Sequence, residues 1–361
     1  MNKQTTESQL QHYQKAHWKF SLIVIALSLL LLFSIVYSIT FGSVNISWQM
    51  VYQIIYGQVT DNSAILAGVD SGWIDIVWMI RLPRVLLATA VGASLALTGT
   101  VMQAILRNPL ADPYVLGISS GASLGATLSI MLGVGISFGA NYIGVCAFLG
   151  ALLASLIVLF LGNFRNREGI SRLLLVGVAL SSLCSALSSF IVFISGRKEG
   201  MQTLNFWLLG SLTAANWQLL KVLLPLVLVI CLFFCFQSRV LNLMLLGDET
   251  ARTLGRENFY FRILYILLVS ILCGFVVYAC GIIGFVGLVV PHITRILVGV
   301  NHRRMVPVTI LFGAIFLIWT DVLSRMIIKG SEIPIGIIVS AIGAPFFLYL
   351  VMQNPQKRGG K

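Results

Sequence analysis

Few residues in this chain are able to do chemistry, and most of them crowd into one stretch. Arg239 to Arg262 carries Arg239, Asp248, Glu249, Arg252, Arg256, Glu257 and Arg262 between two apolar runs. A segment this charged cannot lie in hydrocarbon and belongs in water beside a membrane. Leu241, Met244 and Leu245 fall at helical spacing, as do Ala251, Leu254 and Gly255. Gly247 can close one short helix, and Asp248 can cap the next. Two short surface helices, with a shallow face at Ala251 and Gly255, suit docking to another protein. An ordinary connecting loop on the membrane surface is the other reading.

The remaining polar residues are scattered. Cys231 and Cys235 are four apart, but no further metal ligand stands near them. All six cysteines lie in apolar runs, where thiols act as small hydrophobes and no disulfide framework is expected. His292 is a lone histidine. Asp321 and Arg325 are four apart with the acid first, the favourable order for a helical pair. Arg81 and Arg84 flank Pro83; they either snorkel to headgroups or face an acidic partner. Ser181, Ser185 and Ser188 share one helical face, which either lines a water-filled path or bonds back to its own helix. There is no Gly-x-x-x-x-Gly-Lys-Ser/Thr loop, no His-Glu-x-x-His and no Gly-x-Ser-x-Gly. No catalytic residue and no metal site is expected, nor is a mid-membrane relay evident of the kind an ion-coupled carrier often shows. A transport path with no energy source of its own points to a partner that supplies one.

The elements that must position these residues are apolar helices. The chain has 361 residues, 58% hydrophobic and 10% charged, against about 25% charged in a soluble domain. An all-α, multi-pass membrane protein follows. Runs of about 20 apolar residues predict about ten spans, near 20–41, 84–106, 114–134, 140–162, 171–194, 217–237, 261–280, 283–300, 306–324 and 335–352. With both termini in the cytoplasm, seventeen of the 24 Lys and Arg fall on the inner side, as the positive-inside rule requires. That bias also accounts for the net charge of +12 without nucleic acid. Residues 1–19 and 353–361 then form cytoplasmic tails around a single membrane domain, 20–352. The first span is too long for a cleaved signal. The outer loop at about 42–80 holds Asp61, Asp70 and Asp75 but no Lys or Arg, and is expected to be partly helical. Pro83 should sit in the first turn of the second span. Gly117, Gly121 and Gly125 form a small-residue stripe for helix packing. Gly281, Gly284 and Gly287, followed by Pro291, argue for a broken helix.

Five motifs occur in order: Arg81-Leu82-Pro83-Arg84; Asn108-Pro109-Leu110-Ala111-Asp112-Pro113; Leu246-Gly247-Asp248-Glu249 with Ala251 and Leu254-Gly255; Gly284-Phe285-Val286-Gly287-Leu288 with Pro291-His292 and Arg295; and Glu332-Ile333-Pro334-Ile335-Gly336. Together they closely resemble the permease subunits of ABC importers for ferric siderophores, haem and cobalamin, over roughly residues 70–350. The resemblance implies a type II importer permease fold of ten helices, in the cytoplasmic membrane. It implies a second permease subunit, two cytoplasmic ATPases that bind ATP and Mg, and an external binding protein. It implies that 239–256, with Leu245, Gly247, Asp248, Glu249, Ala251, Leu254 and Gly255, couples to the ATPase. Arg81, Arg84 and Arg325 are implied to meet the binding protein, and the span bearing Ser181, Ser185 and Ser188 to line the path. A ferric siderophore is the expected cargo, with haem or cobalamin as alternatives and an ion-coupled secondary transporter as the rival class.

Overall fold

The computed structural model describes residues 3–42, 44, 46–163, 170–253, 258–328 and 330–352, without the side chains of 3–17, 163, 170, 248, 249, 252, 350 and 351. Among the described residues there is no strand. The helices run α1 (Lys3–Ser38), α2 (Trp48–Val59), α3 (Ser63–Leu66), α4 (Ser71–Asp75), α5 (Leu82–Leu106), α6 (Ile118–Leu132), α7 (Tyr142–Asn163), α8 (Ile170–Ser195), α9 (Lys198–Leu208), α10 (Trp217–Phe236), α11 (Ser238–Leu246), α12 (Asp248–Thr253), α13 (Phe259–Cys280), α14 (Val286–Val298), α15 (His302–Met326) and α16 (Ile335–Met352). Each predicted span contains one of them. Seven helices are long and apolar enough to cross a membrane; α6, α14 and α16 are shorter apolar helices. The polar tail is helical from Lys3 onward, continuous with the first span.

Everything is arranged around α5, which is buried along almost its whole length. Small residues make that possible. A Cβ on Gly92 would collide with the carbonyl of Gly313 in α15, and one on Gly99 would collide with the backbone of Gly287 in α14. Two helices therefore rest their backbones on α5, as close packing without a hydrophobic drive between membrane helices requires. The expected stripe on α6 behaves the same way at Gly121 and Gly125, which meet the backbone of α7 at Gly150 and Cys146. Gly117 does not belong to it; φ is 79° there, and it caps the start of α6.

Pro83 sits in the first turn of α5, as expected, but the helical chain does not begin there: α4 runs into a π-helical stretch, Ile76–Arg81, that continues directly into α5. The amide of Leu82 donates five residues back, to Val77. Pro83 has no N–H to donate, and the widened turn ahead of it accommodates this local defect. The predicted break after α13 is present. Gly281 has φ 73° and Phe285 has φ 65°, so the chain unwinds between Cys280 and Val286. The turn after α9 holds the elements on either side of this stretch: Ser211 N–H donates to the Cys280 carbonyl at 2.8 Å, while Ile335 and Gly336 N–H in the first turn of α16 donate to Gly210 and Leu209 at 3.2 and 3.1 Å.

These contacts predict a sharp contrast between two glycines. Gly99→Ala should destabilise the protein by about 1–3 kcal/mol through overpacking and lower its thermal midpoint in detergent. Gly284→Ala has no neighbour within 4 Å of the new carbon and should leave the midpoint nearly unchanged.

Candidate functional site

Polar side chains gather at the two ends of α5. At the Pro83 end, Arg84 Nε donates to Asp321 Oδ1 at 2.9 Å, and its Nη1 reaches the Glu332 oxygens at 2.9 and 2.8 Å. Arg325 Nε lies 3.1 Å from Asp321 Oδ2, so one acid serves two guanidinium groups on two helices. The Arg84 and Asp321 side chains are 8% and 1% exposed, whereas Glu332, in the turn before α16, is 46% exposed. The expected Asp321–Arg325 pair is therefore present, but as half of a larger cluster.

Arg81 faces elsewhere. Its guanidinium donates to the carbonyls of Ile39, Thr40 and Val44, and Arg325 Nη1 donates to that of Phe41 at 2.8 Å. These carbonyls follow the end of α1, where a helix leaves acceptors unpaired and a positive charge is favoured. All three arginines expected at an open docking surface are thus held inside the chain. α1, α5 and α15 meet here, and the three guanidinium groups bond the carbonyls that follow α1 and the Asp321 carboxylate. Glu332 is the accessible member of the cluster, and the sequence reading had passed it over as part of a motif.

At the other end, Gln103 Nε2 donates to the Gly287 carbonyl at 3.3 Å and Arg295 Nη2 donates to Gln103 Oε1 at 2.7 Å. α5 and α14 are thereby tied a second time. Beside this bracket lies a cavity of about 210 Å³, lined among others by Arg107, Leu245, Arg295 and His302. The Arg107 guanidinium lies against Gly247, where an added Cβ would come within 2.8 Å of Nη1. Asn242 on α11 accepts from the His302 backbone N–H at 3.0 Å, pairs with the His302 ring at 2.8 Å, and donates to Asn301 at 3.1 Å. α11 is thus pinned to the start of α15. Asn242 was missed by sequence reading; a lone amide among Val240, Leu241 and Leu243's neighbours carries no spacing signal, although Leu241 is fully buried beside it.

The pair of short helices expected at 239–256 exists as α11 and α12, with Gly247 between them at φ 97°. Asp248 is the first residue of α12; its side chain and that of Glu249, and all of Leu254 and Gly255, lie outside the described residues. Ala251 is 0% exposed, so it packs within the chain and does not form an open shallow face. The exposed apolar residues of the pair are Leu245 and Leu246, 40% and 57% exposed. On α8, Ser181 is half-buried and accepts a hydrogen bond from Ser120 Oγ on α6 at 3.0 Å. Ser185 is exposed, and the buried Ser188 Oγ has no partner among the described residues. The six cysteines are free, and only Cys235 is less than buried.

The Arg84 cluster predicts unequal responses. Arg84→Gln leaves Asp321 short of a partner in a buried site and should cost about 3–5 kcal/mol. Glu332→Gln removes a half-exposed partner and should cost about 0–1 kcal/mol. Thermal unfolding of the two variants in nanodiscs measures the difference.

Comparison with known proteins identifies the family. The model of the FecCD transport family matches residues 30–353. The hemin transport system permease protein HmuU of Yersinia pestis is 39% identical over 289 residues, 79% of this chain and 85% of that protein. The vitamin B12 import system permease protein BtuC of Klebsiella pneumoniae is 39% identical over 279 residues, 77% of this chain and 82% of that protein. A solved metal-chelate type ABC transporter in an inward-facing conformation superposes with a TM-score of 0.79 at 33% identity, covering 92% of this chain and 99% of its own. With its apolar helices, its glycine-packed α5 and its unwound stretch before α14, this multi-pass membrane chain belongs to the FecCD transport family and is an ABC importer permease.

Proposed function

We propose that this permease carries a ferric siderophore across the cytoplasmic membrane by alternating access, as one of two permease subunits working with two ATPases and an external binding protein. The observation that supports a metal complex as cargo is the likeness to the metal-chelate type transporter, which extends over 92% of the chain. Haem and vitamin B12, named for the curated relatives, are the competing cargoes. The chain itself performs no bond chemistry in this reading; ATP and Mg belong to the partner ATPase. Both termini and the Arg107 end of α5 face the cytoplasm, in line with the Lys and Arg distribution, and ten helices cross the membrane.

In this reading α11 and α12 are the coupling helices. Leu245 and Leu246 supply the apolar contact to the ATPase, in place of Ala251. Gly247 gives way to Arg107, and Asn242 holds the pair to α15, so a push on α11 reaches two helices of the bundle. The outer surface for the binding protein centres on Glu332 and Arg84. Arg81 holds the loop after α1, and Arg325 shares Asp321 with Arg84, so an incoming carboxylate reaches Arg84 by displacing Glu332. Of Ser181, Ser185 and Ser188, Ser185 is the exposed one and is free to line a path, with Ser181 committed to α6.

Two measurements test the proposal. In proteoliposomes with the partner ATPase and binding protein, a ferric hydroxamate siderophore should accumulate in an ATP-dependent way, while haemin and cyanocobalamin should not. Accumulation driven by an ion gradient in vesicles without the ATPase would make the protein a secondary transporter instead. Leu246→Asp should uncouple cargo-stimulated ATP hydrolysis while leaving the unfolding free energy within about 0.5 kcal/mol of wild type, as expected for a surface site. Full coupling in that variant would remove α11 from the ATPase contact.

A further inference from the structure

The segment between α1 and α5 contains a helix that crosses nothing. α2 has twelve residues, about 18 Å at 1.5 Å per residue, too short to span a bilayer. None of its residues is charged. One face, Val51, Ile54 and Gly57, is buried, and the helix packs on α3 and the π-helical stretch before α5. The opposite face is open. Trp48, Tyr52, Tyr56 and Val59 are 63%, 61%, 48% and 69% exposed, and their spacing puts them in one stripe. The rings of Tyr52 and Tyr56 stack with centroids 5.9 Å apart and planes 8° apart.

Three observations indicate what covers this stripe. α2 contacts the end of α1, whose outward surface is the lipid-facing side of an apolar span only 6% buried. That surface ends in a run of rings, Phe33 to Tyr37 to Phe41, with successive centroids 5.0 Å apart. The aromatic surface of α1 therefore leads toward α2. Second, Trp and Tyr join an apolar ring to a polar N–H or O–H, the form that settles at the headgroup level of a bilayer. Third, charge is absent where a charged protein partner would need it. α2 has none, and the exposed acids that follow it lie beyond its end, Asp61 in the turn after it, Asp70 at the cap of α4 and Asp75 at the last position of α4.

We infer that α2 is an interfacial anchor, lying along the membrane surface with Trp48, Tyr52, Tyr56 and Val59 among the lipid headgroups and upper methylenes. The anchor adjoins the Arg84 cluster, because the carbonyls of Phe41 and Val44, which accept from Arg325 and Arg81, immediately precede it. The lipid surface thereby holds the loop on which those two arginines rest. This inference depends on membrane insertion and on neither the cargo nor the orientation, so its test stands apart from that of the proposed function.

The test uses the full chain in phosphatidylcholine nanodiscs, with Trp48, Tyr52, Tyr56 and Val59 replaced singly by Cys and spin-labelled. Gly68→Cys serves as the water-exposed reference, and wild type treated with the same spin label as the control for native thiols. Collision with oxygen, which concentrates in the bilayer, should exceed collision with a water-soluble nickel chelate several-fold at the four positions relative to position 68. As a second readout, lipids brominated high on the acyl chain should quench a share of the tryptophan emission that is missing from Trp48→Phe. A ratio equal to that of position 68, with no quenching lost in Trp48→Phe, would overturn the inference by placing the stripe in water. Low accessibility to both reagents would overturn it by placing the stripe against protein.

Discussion

The backbone contacts of Gly92 with Gly313 and of Gly99 with Gly287 set the geometry on which the rest of the molecule depends. Lipid chains are as apolar as the helices they surround, so burying leucine against leucine gains little inside a membrane. What favours association there is close van der Waals fit and the satisfaction of polar groups. Two glycines on one helix let α15 and α14 approach until backbone touches backbone. At that distance the side chains at the ends of α5 reach their partners directly. Arg84 meets Asp321 at 2.9 Å, and Gln103 meets Arg295 at 2.7 Å. A larger residue at 92 or 99 would strain both brackets as well as the packing.

Much of this was legible in the sequence because it follows from periodicity and length. The ten apolar intervals each hold a helix, and glycines three apart with a following proline mark the unwound stretch at 281–285. The Asp321–Arg325 pair was readable from a spacing of four. The losses share one cause: burial is a property of neighbours, which a sequence does not place. Ala251 looked like a gap left for a partner, yet the same chain fills it. Arg81 looked like a surface charge at a membrane end, yet the end of α1, some forty residues earlier in the chain, supplies three carbonyls for it. Pro83 looked like a helix start because the rule for proline concerns the missing N–H. A π-helical stretch removes the same conflict in mid-helix, and no local pattern announced it.

The cluster at the Arg84 end has an electrostatic asymmetry. Three arginines, Arg81, Arg84 and Arg325, stand near two carboxylates, Asp321 and Glu332. The surplus positive charge is met by the dipoles of α1's terminal carbonyls, with no third acid among the described residues. Asp321 is buried and shared by two helices, so it cannot leave without stranding both guanidinium groups. Glu332 is half-exposed and holds only Arg84. The two acids therefore have different roles despite sharing a partner: one fixes α5 to α15, and the other closes the turn before α16 reversibly.

The two ends of α5 are linked by the stiffness of the helix between them. α5 is 25 residues long, about 38 Å, and carries its polar brackets at either end with a packed apolar surface between. Such a helix moves as one body, because packed interiors shift between discrete arrangements and do not deform smoothly. α11 touches α5 through Arg107 at Gly247 and α15 through Asn242 at His302. The same two helices meet again at Arg84 and Asp321. The pair α5–α15 is thus fixed at both ends and is expected to shift as a unit. α16 is joined to it by the Glu332 contact, while its first turn also hydrogen-bonds to Leu209 and Gly210. Among the described contacts that hold the Arg84 end, the Arg84–Glu332 pair between α5 and the turn before α16 is therefore the weakest, because solvent already reaches Glu332.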